Sequence, residues 1–329
     1  MKRTAPGLFV VLTLLLSACA GAGGSPAASG SDGGGGSGSP VPPSDSGGGE
    51  SGGIGHPTGA DEPILVVGET GGFAMVQMIA TRVPTFALFG DGRVVVQGAM
   101  TLEFPGPALA PLIQRTLNED GIQAVLDAVE DTELFTSDLE LRGAANVVAD
   151  ATDTVFRLNA NGREVTVSVY GLGLLDPAFG GSFEGIDPAE IDAHAVLGQL
   201  RDALLTIDTS VPADSWEAEG WQPYAADAFR LYVRDATGEE IEGGDLPERV
   251  REWPTDDDPA TFGVEEPLVG DGTRCGVVEG DAGAAWLEEL NAAKQDTLWT
   301  TDGENRFMVM ARPLLPGDEA TCPEVPAGG

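Results

Sequence analysis

Acidic side chains, two histidines and three cysteines are the residues through which this chain could do chemistry, and the histidines narrow the choice first. His56 falls in a stretch rich in Gly, Ser and Pro, where no fixed geometry is expected. His194 stands between Ile191 and Leu197 at helical spacing, which predicts a half-buried helix face rather than a general base beside a nucleophile. Gly180-Gly181-Ser182-Phe183-Glu184 approaches a serine-hydrolase elbow, but Glu184 occupies the position where a glycine must let backbones meet. Asn291 precedes Lys294 by three residues, which excludes a Ser-x-x-Lys nucleophile. Gly171-Leu172-Gly173 begins like a dinucleotide loop and is broken by Asp176 and Pro177. Catalysis would therefore rest on carboxylates. With 53 acids in the chain, what matters for a glycosidase-like pair is separation in space, which the order of residues does not give.

The densest acidic run, Asp256-Asp257-Asp258 followed by Glu265 and Glu266, lacks the alternating ligand spacing and placed glycine of a calcium loop. It is expected to be a solvated loop, with calcium as the weaker alternative. No cofactor is implied. The best binding candidates are aromatic: Trp216, Trp221 and Tyr224 crowd a segment where a polar linker would be ordinary. Exposed, they would stack on a sugar or a partner's side chains; buried, they would cement a domain interface, which is the more usual fate of large aromatics.

Cysteine placement bears on compartment. Lys2 and Arg3 precede a nine-residue apolar run, Leu8 to Leu16, and Leu16-Ser17-Ala18-Cys19 closes it, the layout of a bacterial lipoprotein signal. Such a run is far below the roughly 20 residues a membrane-spanning helix needs. Residues 1–18 are thus expected to be removed and Cys19 to carry lipid, attaching the protein to the extracytoplasmic side of the cell membrane. Cys275 and Cys322 then remain as a pair outside the reducing cytoplasm and are expected to form a disulfide.

Residues 19–60 are almost entirely Gly, Ser, Pro and Ala and cannot bury enough apolar surface to offset ordering. A disordered tether of about 40 residues spans roughly 35 Å. The formal charge of −36 and a single lysine beyond the leader, Lys294, leave no basic patch for nucleic acid. The acidity itself speaks to solubility and steering rather than to a site.

Whatever surface acts must be positioned by the elements that follow. Residues 61–208 read as an N-terminal domain, 209–222 as a linker and 223–329 as a C-terminal domain containing the disulfide, each an antiparallel sheet with helices on one face, an α+β class. In the first, Gly90-Asp91-Gly92 turns a hairpin between Pro84–Phe89 and Arg93–Gln97, and Asn161-Gly162 turns a second whose return strand alternates Val165, Val167 and Val169 with polar residues. Asn118 caps a helix with Ile122, Val125, Leu126 and Val129 on one stripe; Asp187-Pro188-Ala189-Glu190 opens another through Leu200 and Leu204. In the second, Phe229, Leu231 and Val233 alternate with Arg230, Tyr232 and Arg234. A strand from Cys275, a helix over 281–294 with Trp286, Leu287 and Leu290 inward, and strands joined at Asp302-Gly303 complete it.

Pro84 to Val94, Thr154-Val155-Phe156, Val167 to Gly173, Arg274 to Val278 and Arg312-Pro313-Leu314-Leu315-Pro316 resemble uncharacterised tethered lipoproteins of actinobacteria and related high-GC bacteria. The resemblance differs after Asp150-Ala151, where Thr152 and Asp153 stand in place of a frequent proline. It implies anchorage and brings no activity or functional residue. The function expected is a non-catalytic, membrane-anchored protein binding an envelope protein or glycan. The alternative is a carboxylate-dependent hydrolase of envelope glycans.

Overall fold

The computed structural model describes residues 53–100, 102–176, 183–218, 220–239 and 249–323. The leader, Cys19, most of the expected tether and residues 180–182 of the elbow-like segment lie outside these.

The first sheet is built from β1 (Pro63–Gly71), β2 (Phe86–Phe89), β3 (Arg93–Gln97), β4 (Leu112–Thr116), β5 (Leu139–Leu141), β6 (Thr152–Ala160), β7 (Arg163–Tyr170) and β8 (Gln222–Pro223), in the order β5-β7-β6-β1-β2-β3-β4-β8. All pairings are antiparallel except β5 with β7. Both expected hairpins form, because their turn residues take positive φ: Gly92 at 81°, Asn161 at 52° and Gly162 at 67°. At Gly92 a side chain is doubly excluded, since a Cβ would stand 2.1 Å from the Leu117 carbonyl oxygen.

Helices α2 (Glu119–Glu130) and α3 (Pro188–Leu205) cover one face of this sheet; a short helix, α1 (Val76–Ala80), joins β1 to β2, and α4 (Ile207–Ser210) follows α3. The Asn118 side chain accepts from the Gly121 amide at 3.0 Å, and Asp187 caps α3 through the Ala189 amide at 2.9 Å. Ile122, Val125, Leu126 and Val129 then meet Leu65, Val67, Phe86, Phe156 and Val167 in the first core, with Leu197, Leu200 and Leu204 from α3.

The second sheet runs β10-β13-β14-β9-β12-β11, from β9 (Ala228–Asp235), β10 (Val250–Glu252), β11 (Val264–Glu265), β12 (Thr273–Glu279), β13 (Leu298–Thr300) and β14 (Phe307–Leu314). Here β10 and β13 are the parallel pair. Helix α5 (Gly280–Ala292) lies on one face. The core beneath it is aromatic: Trp253 meets Trp286 at 4.7 Å between ring centroids, and Trp286 meets Trp299 at 4.9 Å.

The class is therefore α+β, with two antiparallel-rich sheets. The face of β9 that carries Arg230, Tyr232 and Arg234, which alternation separates from Phe229, Leu231 and Val233, is covered. Tyr232 is completely buried, and Arg230 and Arg234 are half-buried, because the two sheets turn their helix-free faces towards each other. Small apolar clusters fill the space between: Ala87, Phe89, Val95 and Leu315 at one end, Tyr232, Val269, Met310 and Ala80 at the other. The segment after β3 also crosses to the second sheet's helix, where the Ala108 amide donates to Ala293 and the Gln295 amide to Gly106. The described residues all belong to one compact unit.

The end of the expected tether is ordered, and this corrects the reading of His56. Gln123 brackets Ile54, accepting from its amide at 2.7 Å and donating to its carbonyl at 3.0 Å, so Ile54 packs on the first core. His56 is fixed with it. Nδ1 lies 2.7 Å from the Pro57 carbonyl and Nε2 lies 3.1 Å from Glu119. The hydrogen bond from His56, helped by one from Gln123, holds the Glu119 carboxyl below its ordinary range, with burial opposing the shift. Ile54, one of the few larger aliphatics in the region, supplies the burial that composition alone concealed.

Candidate functional site

Strand pleating decides what enters the space between the sheets. On β9 and β14 the residues facing the first sheet are paired across the ladder: Arg230 with Arg312, Tyr232 with Met310, Arg234 with Met308. Opposite them, β1 and β6 present Val66 and Arg157, themselves a cross-strand pair. Between these surfaces lies a cavity of about 370 Å³, within the range of small-ligand sites.

Its lining departs from the rest of the protein in charge. Arg82, Arg157, Arg230 and Arg312 are four of the 17 basic residues of the chain, and all line this one cleft. Three are engaged by the fold. Arg312 donates to the Arg82 carbonyl at 2.9 Å and to Asp318 at 2.9 Å; Arg230 donates to the carbonyls of Thr321 and Glu319 at 2.7 and 2.9 Å; Arg82 donates to the Gly71 carbonyl at 3.2 Å. Arg157 is exposed and has no hydrogen-bond or ion-pair partner among the described residues.

Two buried polar groups complete the lining. The Tyr232 hydroxyl and Glu266 Oε1 are shielded from solvent and find no hydrogen-bond partner among the described residues, although Tyr232 is 0 % and Glu266 2 % exposed. Burial raises the Tyr232 hydroxyl above the ordinary phenol range; the nearby Arg230 guanidinium opposes the rise without an aligned hydrogen bond. The phenol therefore stays protonated at neutral pH and can donate a hydrogen bond. Two larger hollows, of about 470 and 490 Å³, contain no such group. Leaving a buried polar atom unpaired costs about 1–3 kcal/mol and more for a charged group, so the fold carries a standing cost here and not in the larger hollows. Guanidinium groups at the wall, a phenol that donates and a carboxyl that accepts suit a small anionic molecule with a hydrogen-bond donor of its own.

A strap closes one side. Beyond β14 the chain turns at Leu315 to Asp318 and runs back under Arg230, and Cys322 is bonded to Cys275 on β12, with an S–S distance of 2.04 Å. The expected disulfide is thus present, and it ties the strap to the cleft.

The aromatic trio does not form one binding face. Trp216 and Trp221 meet edge to face at 5.7 Å and pack against the first core. Arg115 lies 4.2 Å over the Trp216 ring and pairs with Asp208 at 2.8 Å, while the Trp221 indole donates to the same Asp208 at 2.7 Å. Tyr224 is drawn away, packing where both sheets meet. The reason is local pairing: Trp216 bridges Leu117 and β8 adds to β4, which turns the expected linker into an edge of the first sheet. Asp256, Asp257 and Asp258 are exposed, and Asp258 caps a short 3-10 turn through the Ala260 amide at 3.0 Å. No group of three or more His, Cys, Asp or Glu among the described residues could hold a metal ion, and no helix among them is long and apolar enough to cross a membrane. His194 is 2 % exposed, deeper than the half-buried face expected, with Glu190 at 4.0 Å.

Sequence reasoning gave no site role to Arg157, Tyr232 or Arg312, and it read Glu266 as part of a solvated acidic loop, whereas Glu266 is buried. The one available signal was the Arg-Tyr-Arg alternation on β9, an unusual basic face in an acidic chain. No protein-family model, curated protein or solved structure matches this chain.

Proposed function

We propose that this chain is a lipid-anchored binding protein of the extracytoplasmic membrane face, attached through Cys19, and that it holds a small anionic ligand in the cleft between its sheets. The observation that carries the reading is the buried, unpartnered pair of Tyr232 and Glu266 beside four arginines in an otherwise acidic protein. The leader and the resemblance to tethered lipoproteins of high-GC bacteria support the anchorage. The ligand carries a carboxylate or phosphate for Arg157 and a donor group for Glu266.

Thermal unfolding of the protein in the presence of amino acids, hydroxy acids, uronic acids and sugar phosphates tests this. A ligand at a hundred times its dissociation constant stabilises by about 2.7 kcal/mol. The stabilisation should disappear in Arg157→Ala; absence of any shift across the panel, or an equal shift in the variant, rejects the cleft as the site.

Glu69 and Glu266 both line the cavity, and this favours a second reading, hydrolysis of an envelope glycan by a carboxylate pair. Release of reducing sugar from isolated envelope, lost in Glu266→Gln, would establish it over simple binding.

A further inference from the structure

Of the six methionines in the chain, all but the initiator line a single hollow of about 380 Å³. They reach it from three separate parts of the fold. Met75 and Met78 are one helical turn apart at the start of α1, where the Met78 amide donates to the Met75 carbonyl at 2.9 Å, so both side chains project on one side. Met308 and Met310 are two apart on β14 and share a face. Met100 comes from the connection between β3 and β4.

Packing alone does not account for this gathering. Met75, Met78 and Met100 are 66 %, 57 % and 62 % exposed, so the fold presents these thioethers rather than burying them. Among the described residues no carboxylate, imidazole or thiol lines the hollow, and the other polar side chains on it are Gln77, Thr81 and Gln295. Hard divalent cations find no anionic oxygen there, whereas neutral sulfur donors suit a soft, monovalent d¹⁰ ion. Met308 is set apart, because its Sδ accepts from Arg234 at 3.1 Å, and the charge of that arginine is balanced by an ion pair with Glu239.

We propose that Met75, Met78, Met100 and Met310 form a thioether site for Cu(I), or for Ag(I) as its redox-inert equivalent. The proposal is independent of the anionic ligand assigned to the cleft. Neutral ligands leave the ion its positive charge, and a protein of net charge −36 favours a cation at its surface.

The test uses the full-length protein with Cys19→Ser, so that no free thiol competes. Titrated against the Cu(I)–bicinchoninate complex, the protein should withdraw one equivalent of metal. In protein labelled with ¹³C at the methionine methyl groups, Ag(I) should shift the signals of Met75, Met78, Met100 and Met310 and leave that of Met308 in place. Met75→Leu/Met78→Leu/Met310→Leu keeps apolar volume and removes sulfur; it should weaken Cu(I) binding by about tenfold or more. Should that variant fail to fold, Met100→Leu, in an exposed connection, should weaken binding alone. Failure of the parent protein to withdraw Cu(I), an unmoved methyl spectrum with Ag(I), or undiminished binding by a folded leucine variant would overturn the site; the last result would leave an apolar groove in its place.

Discussion

Cys275 stands directly opposite Tyr232 in the β9–β12 ladder, so the disulfide and the buried phenol of the cleft occupy adjacent strands of one face. The bond to Cys322 therefore closes a long loop and holds the strap over Arg230 at the same time. For a cross-link between residues 47 apart, the chain-entropy relation gives about 4 kcal/mol. Cys275→Ala/Cys322→Ala should lose stability of that order in denaturant unfolding. Full retention of stability would show that Arg230 and the Arg312–Asp318 pair hold the strap without the disulfide.

Tyr232→Phe is expected to stabilise the ligand-free protein by about 1 kcal/mol, because it removes a buried hydroxyl that has no partner. The same change should weaken ligand capture. Opposite signs for stability and binding identify a group kept for recognition rather than for folding. Loss of stability in Tyr232→Phe would mean that the hydroxyl is satisfied in the free protein.

Trp216→Ala/Trp221→Ala should cost about 3 kcal/mol, since the two rings pack on the first core and carry the Arg115–Asp208 fastening. Ligand binding in the cleft should be nearly unchanged. Calorimetric unfolding and the binding assay, made on the same preparation, separate these effects.

Burial holds His194 below its ordinary range, with Glu190 opposing the shift. The folded protein thus binds a proton at this position less readily than the unfolded chain. Stability is fully present above about pH 6.5, the unfolded value, falls as pH drops below it, and stops falling once pH passes the depressed folded value. His194→Gln should flatten this limb of the stability profile between about pH 7 and pH 5. A profile as steep as that of the parent would assign the acid sensitivity to other groups.

Local chemistry was legible where a residue acts on its own neighbours. Asp91-Gly92 and Asn161-Gly162 specify their turns through backbone conformation, Asn118 and Asp187 specify helix starts through one hydrogen bond each, and Cys275 with Cys322 had no other partner beyond the leader. The cleft was not legible because Arg157, Arg230, Glu266 and Arg312 converge from four strands or loops that sequence order keeps apart. Alternation on β9 gave the period of a strand but not its environment, because charged residues facing a second sheet read the same as charged residues facing water. The short parallel strands β5 and β10, three residues each, carry no pattern long enough to detect. Burial of Ile54 by Gln123 depends on a contact 69 residues away, which composition averages out.

Strand β1, which follows the clasped His56 segment, lies inside the first sheet with antiparallel neighbours on both sides, β2 and β6. A pull on the chain before residue 53 would meet the Gln123 clasp first and then load both ladders of β1 lengthwise. Their hydrogen bonds lie across that direction and would have to shear together instead of unzipping one after another. If the protein is anchored through Cys19 as proposed, it would be suspended by a strand in the interior of its sheet, and drag on it would be borne by the whole first sheet.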